Sequence, residues 1–317
     1  MPIKVKSDLP AIKILEDENI FTMTEKRALT QDIRPLKIVI LNLMPTKIQT
    51  ETQLLRILGN SPLQVDIELM QTATYSSKNT SPDHLVTFYK TLDDIKDKKY
   101  DGMIVTGAPV ETLNFEEVDY WDELKNIFDW QNQSVYSTLN ICWGAQASLY
   151  YNYGILKHML PQKLSGVYRH TALDVHHPLM RGLDDVFHIP HSCNTYIKAE
   201  DIEKAADLEI LAKSDLAGVS IACNRNGREF FLFGHSEYDR DTLAQEYYRD
   251  KNRGLDPSLP YNYFPENNPT KRPVLSWRNT AMLLFTNWLN YYVYQQTPYD
   301  LKDLKARAKK LIPSPAP

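Results

Sequence analysis

Apolar positions along the chain change period repeatedly, and each change marks an element. Lys37–Leu43 (KIVILNL) is a nearly unbroken aliphatic run stopped by Met44-Pro45, which predicts a strand covered on both faces. Thr50–Leu58 carries apolar residues at helical spacing and ends at Gly59. Leu63–Leu69 (LQVDIEL) alternates as a half-buried strand does, and Asp101–Thr106 (DGMIVT) is another short aliphatic strand, followed by Gly107-Ala108-Pro109. Val118, Trp121, Leu124, Ile127 and Phe128 share one face of a helix expected over Phe115–Trp130. Ser134–Ile141 reads as a strand that meets Cys142 and then a helix from about Gly144 to Tyr153.

Farther along, strands are expected at Leu208–Ala212, Ala217–Cys223 and Glu229–Phe233. The last two are joined by the hairpin-type turn Asn224-Arg225-Asn226-Gly227. Helices follow at Asp239–Asp250 and, rich in aromatics, at Ser276–Tyr294. Strand–helix alternation first and hairpins later predict a doubly wound, mostly parallel α/β sheet with antiparallel additions. Residues 1–35 and the Pro-rich stretch from Pro257 to Pro273 read as arms on that core. Residues 298–317 read as a tail, partly disordered, whose basic side chains form a solvated face.

Composition narrows the function. A net charge of −4 offers no footprint for nucleic acid. The first twenty residues lack an apolar leader core, and no run reaches the roughly 18 apolar residues of a membrane span, so a soluble cytoplasmic protein is expected. Three cysteines, Cys142, Cys193 and Cys223, are too few for a disulfide framework or a zinc ribbon, and no metal site is expected.

Chemistry concentrates where the strands end, since ligands of open parallel sheets bind beyond their carboxyl ends. Cys142 stands between a strand and a helix opened by Gly144, where the helix dipole favours a thiolate. The Trp143 amide is placed to donate to an oxyanion formed on a carbonyl bound to Cys142. His235 follows the apolar strand FFLF, and Glu237 comes two residues later, which suits a base and the carboxylate that orients it. Either Met44-Pro45 or Gly107-Ala108-Pro109 can supply the second oxyanion donor.

The pairing of I-C-x-G-x-Q with G-H-x-E resembles the class I glutamine amidotransferases, which implies a flavodoxin-like catalytic core, residues 36–297 here, carrying N-terminal and C-terminal extensions. The wider chain is more specific. IRPLKIVILNLMPTK, NSPLQVDIEL, DGMIVTGAP, CWGAQA, KLSGVY, PHS, GHSEYD, LAQEYYRD, NYFP and FTNWLNYYVYQQTPYDL, taken in order, resemble the bacterial homoserine O-acyltransferases of methionine biosynthesis. That resemblance implies a coenzyme A thioester as donor, L-homoserine as acceptor, no resident cofactor, and a homodimer. It implies Cys142 as acyl-thioester nucleophile, His235 as base and Glu237 as its orienter, with substrate contacts from Lys163, Ser192 and Arg249. Arg249, in the last turn of its helix, has the fork geometry to grip a carboxylate bidentately. At position 111 the family pairs glycine with succinyl transfer and glutamate with acetyl transfer. Glu111 therefore implies acetyl-CoA, with Ser192 also bearing on specificity. The alternatives are succinyl transfer from succinyl-CoA and, in another class, a glutaminase-like hydrolase. The chain departs from the family in Pro190-His191-Ser192-Cys193, where arginine usually follows the serine, and in Trp277-Arg278-Asn279-Thr280, where WRSH is usual.

Overall fold

The structure, a computed structural model, describes residues 3–5, 9–17, 22–24, 34–75 and 79–307. Twelve strands are seen among them: β1 (Ile3–Val5), β2 (Thr22–Thr24), β3 (Leu36–Leu41), β4 (Val65–Met70), β5 (Tyr89–Lys90) and β6 (Tyr100–Val105). The remainder are β7 (Val135–Ile141), β8 (His158–Ala172), β9 (Val186–Tyr196), β10 (Leu208–Ser214), β11 (Gly218–Asn224) and β12 (Glu229–Leu232). They form one sheet in the order β2-β1-β4-β3-β6-β7-β12-β11-β10-β8-β9, with β5 beside β4. Pairings from β2 through β12 are parallel, and those from β12 to β9 are antiparallel. The expected doubly wound sheet with antiparallel additions is what forms. Among the described residues, no helix is long and apolar enough to cross a membrane.

The central runs are apolar throughout because both faces are covered. Ile38 and Ile40 turn to one side, with Leu54, Leu58, Phe285 and Trp288. Val39 and Leu41 turn to the other, with Trp121, Leu124, Phe128 and Trp143. Register then levels the strand ends, since Val105 lies opposite Asn140 and Ile141 opposite Leu232. Three loops, after β6, β7 and β12, therefore open side by side.

Several expectations change in detail. The helix expected from Phe115 begins as a 3-10 turn, Phe115–Glu117, closed by a reciprocal cap between Asn114 and Glu117. Val118 is extended, and the α-helix proper is Trp121–Ser134. The long aromatic helix is α-helical over Arg278–Asn287 and widens into π turns over Trp288–Tyr294, with Trp288, Leu289, Tyr292 and Val293 still buried on the sheet. β4 does not alternate: Val65, Leu69 and Met70 are buried and the residues between are half-buried. The hairpin of β8 and β9, which pairs Leu164–Cys193 through Thr171–Val186, has no counterpart in the sequence pattern.

Both extensions pack on the core where they are described. β1 pairs with β4, and the Pro-rich arm bridges back, with the Tyr261 N–H donating to Ser165 O at 2.9 Å and Val167 N–H to Tyr261 O at 2.8 Å. In the tail Lys302 and Lys305 are exposed, as a solvated basic face requires, and Arg307 departs from that expectation. Its side chain is buried, pairs with Glu229 at 3.2 Å and donates to Thr138 Oγ1 at 2.7 Å. The end of the tail, 308–317, and the rest of the N-terminal arm lie outside the described residues.

Candidate active site

The first loop carries Cys142, which caps the Trp143–Tyr153 helix at φ 51°, ψ −118°. This is a sharp elbow, with Cys142 N–H donating to Leu232 O at 2.7 Å and Cys142 O accepting from Ala145 and Gln146. Gly144 makes the elbow possible, because a Cβ there would stand 2.6 Å from the Thr106 carbonyl oxygen. Cys142 thus stands at the N-terminus of a helix, the positive end of its dipole.

The loop after β12 brings His235 beside it. The His235 N–H donates to Pro190 O at 2.7 Å, and its Nδ1 meets Glu237 Oε1 at 2.7 Å. That contact fixes the proton on Nδ1 and leaves Nε2 for Cys142, which hydrogen-bonds the ring. Burial works against the imidazolium. The charges of Cys142 and Glu237 outweigh it and lift His235 well above its ordinary range. Burial pushes the Cys193 and Cys223 thiols up, with the Glu209 carboxylate adding to the effect at Cys223, so both stay protonated.

Of the two turns open for the second oxyanion donor, Gly107-Ala108-Pro109 lies on the thiol. A Cβ on Gly107 would sit 3.3 Å from Cys142 Cβ, 3.8 Å from its Sγ and 3.5 Å from His235 Cε1. The Met44 N–H is already committed to Asn42 Oδ1 at 3.1 Å.

Lys163, Ser192 and Arg249 come together around two acidic side chains that the sequence reading missed, Glu246 and Asp250. Ser192 Oγ donates to Glu246 Oε2 at 2.5 Å, and Tyr238 OH donates to its Oε1 at 3.0 Å. Lys163 Nζ lies 3.4 Å from Asp250 Oδ2 and 4.0 Å from Glu246 Oε2. Arg249 is half-exposed, with Nε on Asp250 Oδ1 at 2.8 Å, so part of its fork is committed to protein. Burial raises the Asp250 carboxyl, but Arg249 and Lys163 outweigh it and hold it below its ordinary value. The signal for Glu246 was its spacing, three residues before Arg249 on the same helical face.

Glu111 occupies the turn after Pro109, beside β9. Its Oε1 accepts from Asn194 Nδ2 at 2.6 Å, two residues beyond Ser192. Lys157 Nζ donates to the carbonyl oxygens of Glu111 and Leu113 and lies 4.7 Å above the Phe115 ring. Behind the site, His191 Nε2 meets His170 Nε2 at 3.1 Å while His170 Nδ1 faces Tyr168 O at 2.9 Å. The second contact puts a proton on His170 Nδ1, so His191 donates and both rings are neutral.

Among the described residues one group has metal-ligand spacing, His177, Glu209 and Cys223, whose donor atoms lie within 4.8 Å of one another. His177 Nδ1 accepts from the Leu179 N–H at 3.3 Å, which keeps the proton on Nε2, the nitrogen facing the other two. That arrangement is a hydrogen-bonded cluster and does not suit a cation.

Comparison with known proteins completes the picture. The model of the family described as homoserine O-succinyltransferase matches residues 2–299. Proteins named homoserine O-acetyltransferase are similar throughout. That of Acetivibrio thermocellus is 57% identical over 305 residues, spanning 96% of this chain and 100% of that protein. That of Thermotoga neapolitana is 59% identical over 304 residues, spanning 96% and 100%. That of Methanomethylophilus alvi is 56% identical over 304 residues, spanning 96% and 98%. Among solved structures, a glutamine amidotransferase from Thermotoga maritima superposes with a TM-score of 0.53 at 12% identity, covering 83% of this chain and 100% of that one. This last likeness is one of fold.

Proposed function

The chain belongs to the homoserine O-succinyltransferase family, and from that premise we propose that it transfers acetyl from acetyl-CoA to the hydroxyl of L-homoserine through an acetyl thioester on Cys142. The observation that carries the reading is the thiol at a helix start beside an imidazole whose Nδ1 is fixed by Glu237 at 2.7 Å.

The resting pair is a Cys142 thiolate and a His235 imidazolium. The thiolate attacks the acetyl carbon of the donor, and the developing oxyanion takes the Trp143 N–H and an N–H of the Gly107-Ala108 turn. Collapse breaks the carbon–sulfur bond to coenzyme A, whose thiolate takes the proton from His235. Acetylation therefore removes both the Cys142 charge and the imidazolium together. With that charge gone, the influence that did most to lift the ring's pKa is gone too, and His235 is left neutral, as a base must be. It takes the hydroxyl proton of homoserine as the oxygen attacks the thioester. Expulsion of the Cys142 thiolate then restores the starting pair.

Homoserine brings one ammonium and one carboxylate. Glu246 suits the first, with Lys163 and Arg249 for the second, and Ser192 orients Glu246. Glu111, close to β9, disfavours a donor whose acyl group ends in a carboxylate. The same reading carries a cytoplasmic homodimer with no resident cofactor.

Intact-mass measurement after acetyl-CoA treatment without acceptor tests the proposal. One acetyl group per chain is expected on the wild-type protein and none on Cys142→Ala. An adduct retained by Cys142→Ala would reject this nucleophile, and ammonia release from glutamine would favour a glutaminase.

A further inference from the structure

We propose that Tyr238 is a positioning residue that ties the base of the first half-reaction to the acceptor pocket of the second, its ring holding His235 and its hydroxyl holding Glu246. The inference deepens the acetyltransferase reading and rests on the placement of homoserine against Glu246.

Two contacts at opposite ends of one side chain carry it. The Tyr238 ring lies against the His235 imidazole at 4.2 Å between centroids and 16° between planes. Its hydroxyl donates to Glu246 Oε1 at 3.0 Å. The backbone gives the ring little freedom to choose between these partners. Tyr238 N–H donates to His235 O at 3.2 Å, and Tyr238 O accepts from the buried Trp277 indole at 2.9 Å. Tyr238 is itself 7% exposed, so no swing into solvent is open to it.

Glu246 consequently receives one hydroxyl on each oxygen, Tyr238 on Oε1 and Ser192 on Oε2. Those two donors come from separate elements, the loop after β12 and strand β9. They fix the plane of the carboxylate and leave further lone pairs on each oxygen for an incoming ammonium. Orientation of this kind acts on acceptor binding alone, because the donor thioester makes no use of Glu246. The ring contact acts on both halves, because His235 delivers a proton in the first and removes one in the second.

Tyr238→Phe separates the two contacts, since it keeps the ring and deletes the hydroxyl. Coenzyme A release without acceptor, followed by thiol quantitation, reads the first half-reaction, and the homoserine KM reads the second. In Tyr238→Phe the release rate stays near wild type while the homoserine KM rises about tenfold or more, as loss of a hydrogen bond to a partly buried charge predicts. Tyr238→Leu slows release as well. An unchanged homoserine KM in Tyr238→Phe, or release slowed as much as turnover, overturns the proposal. Glu246→Gln keeps that failure apart from failure of the underlying reading. If Glu246→Gln raises the homoserine KM and Tyr238→Phe does not, Tyr238 alone loses its role. If Glu246→Gln leaves the KM unmoved, the acceptor pocket itself is misplaced, and the proposal falls with it.

Discussion

Cys142 holds backbone angles that a side chain rarely adopts, and such a residue carries a cost of about 1–3 kcal/mol. Cys193 and Cys223 sit in ordinary strand conformation with raised thiol pKa values, so the strained backbone falls on the one cysteine of three that hydrogen-bonds His235. The sequence made Cys142, His235 and Glu237 legible because each stands at or just past a strand end, where pattern and chemistry agree. Glu246 and Tyr238 were hidden by looking like ordinary helix and loop residues; only their contacts reveal them. In the proposed reaction, Glu111 is the residue on which donor choice turns. Asn194 aims its carboxylate and Lys157 pins its backbone, so its charge stays at β9. Two like charges about 4 Å apart cost roughly 1 kcal/mol in water and about 4 kcal/mol at an effective dielectric near 20. Glu111→Gly should therefore raise kcat/KM for succinyl-CoA relative to acetyl-CoA by between about fivefold and a thousandfold. Parallel donor assays on wild type and variant check this; an unchanged ratio removes Glu111 from the acyl pocket.

At the scale of elements, the parallel core was legible because a strand covered on both faces must be apolar at every position, as KIVILNL and DGMIVT are. The β8–β9 hairpin was not, because its outer face is wet and KLSGVYRHTA shows neither period cleanly. Within that hairpin the buried His170–His191 pair has a thermodynamic consequence. Burial lowers His170 from its ordinary 6.5 to about 4 and takes His191 well below its usual range, while His177 is lowered too. The unfolded chain binds protons at these positions below about pH 6.5, and the folded one does not until near 4 for His170. Stability is thus lost as pH falls through that window, by roughly 3 kcal/mol at most for His170. His235 is raised instead, so its contribution is complete below 6.5 and is lost only as pH rises through its folded value. Urea unfolding should give a larger free energy at pH 7 than at pH 5, and His170→Gln should narrow the gap. A gap unaltered in the variant would show that the pair does not set acid sensitivity.

For the whole molecule, the tail is a clasp across the sheet. Arg307 reaches Glu229 on β12 and the Tyr136 carbonyl and Thr138 hydroxyl on β7, with Tyr153 OH on the far oxygen of Glu229 at 2.6 Å. Neither periodicity nor charge could have shown this, because a lone arginine in a basic, Pro-ended tail reads as solvated. Arg307→Met should lower the unfolding free energy by about 3–5 kcal/mol, since it strands a buried carboxylate, while Arg307→Met with Glu229→Gln should recover most of that. Equal losses in the single and double variants would mean the pair contributes only packing. The pairing of β7 with β12 also has a consequence for biosynthesis. Chain order separates Cys142 from His235 by 93 residues, yet the sheet makes their strands neighbours. At about 5–20 residues per second the ribosome delivers the nucleophile roughly 5–20 s before its base. Until β12 arrives, β7 presents an open edge and Cys142 lacks the imidazole that hydrogen-bonds it, so in the proposed reaction the nascent chain meets acyl thioesters without its base.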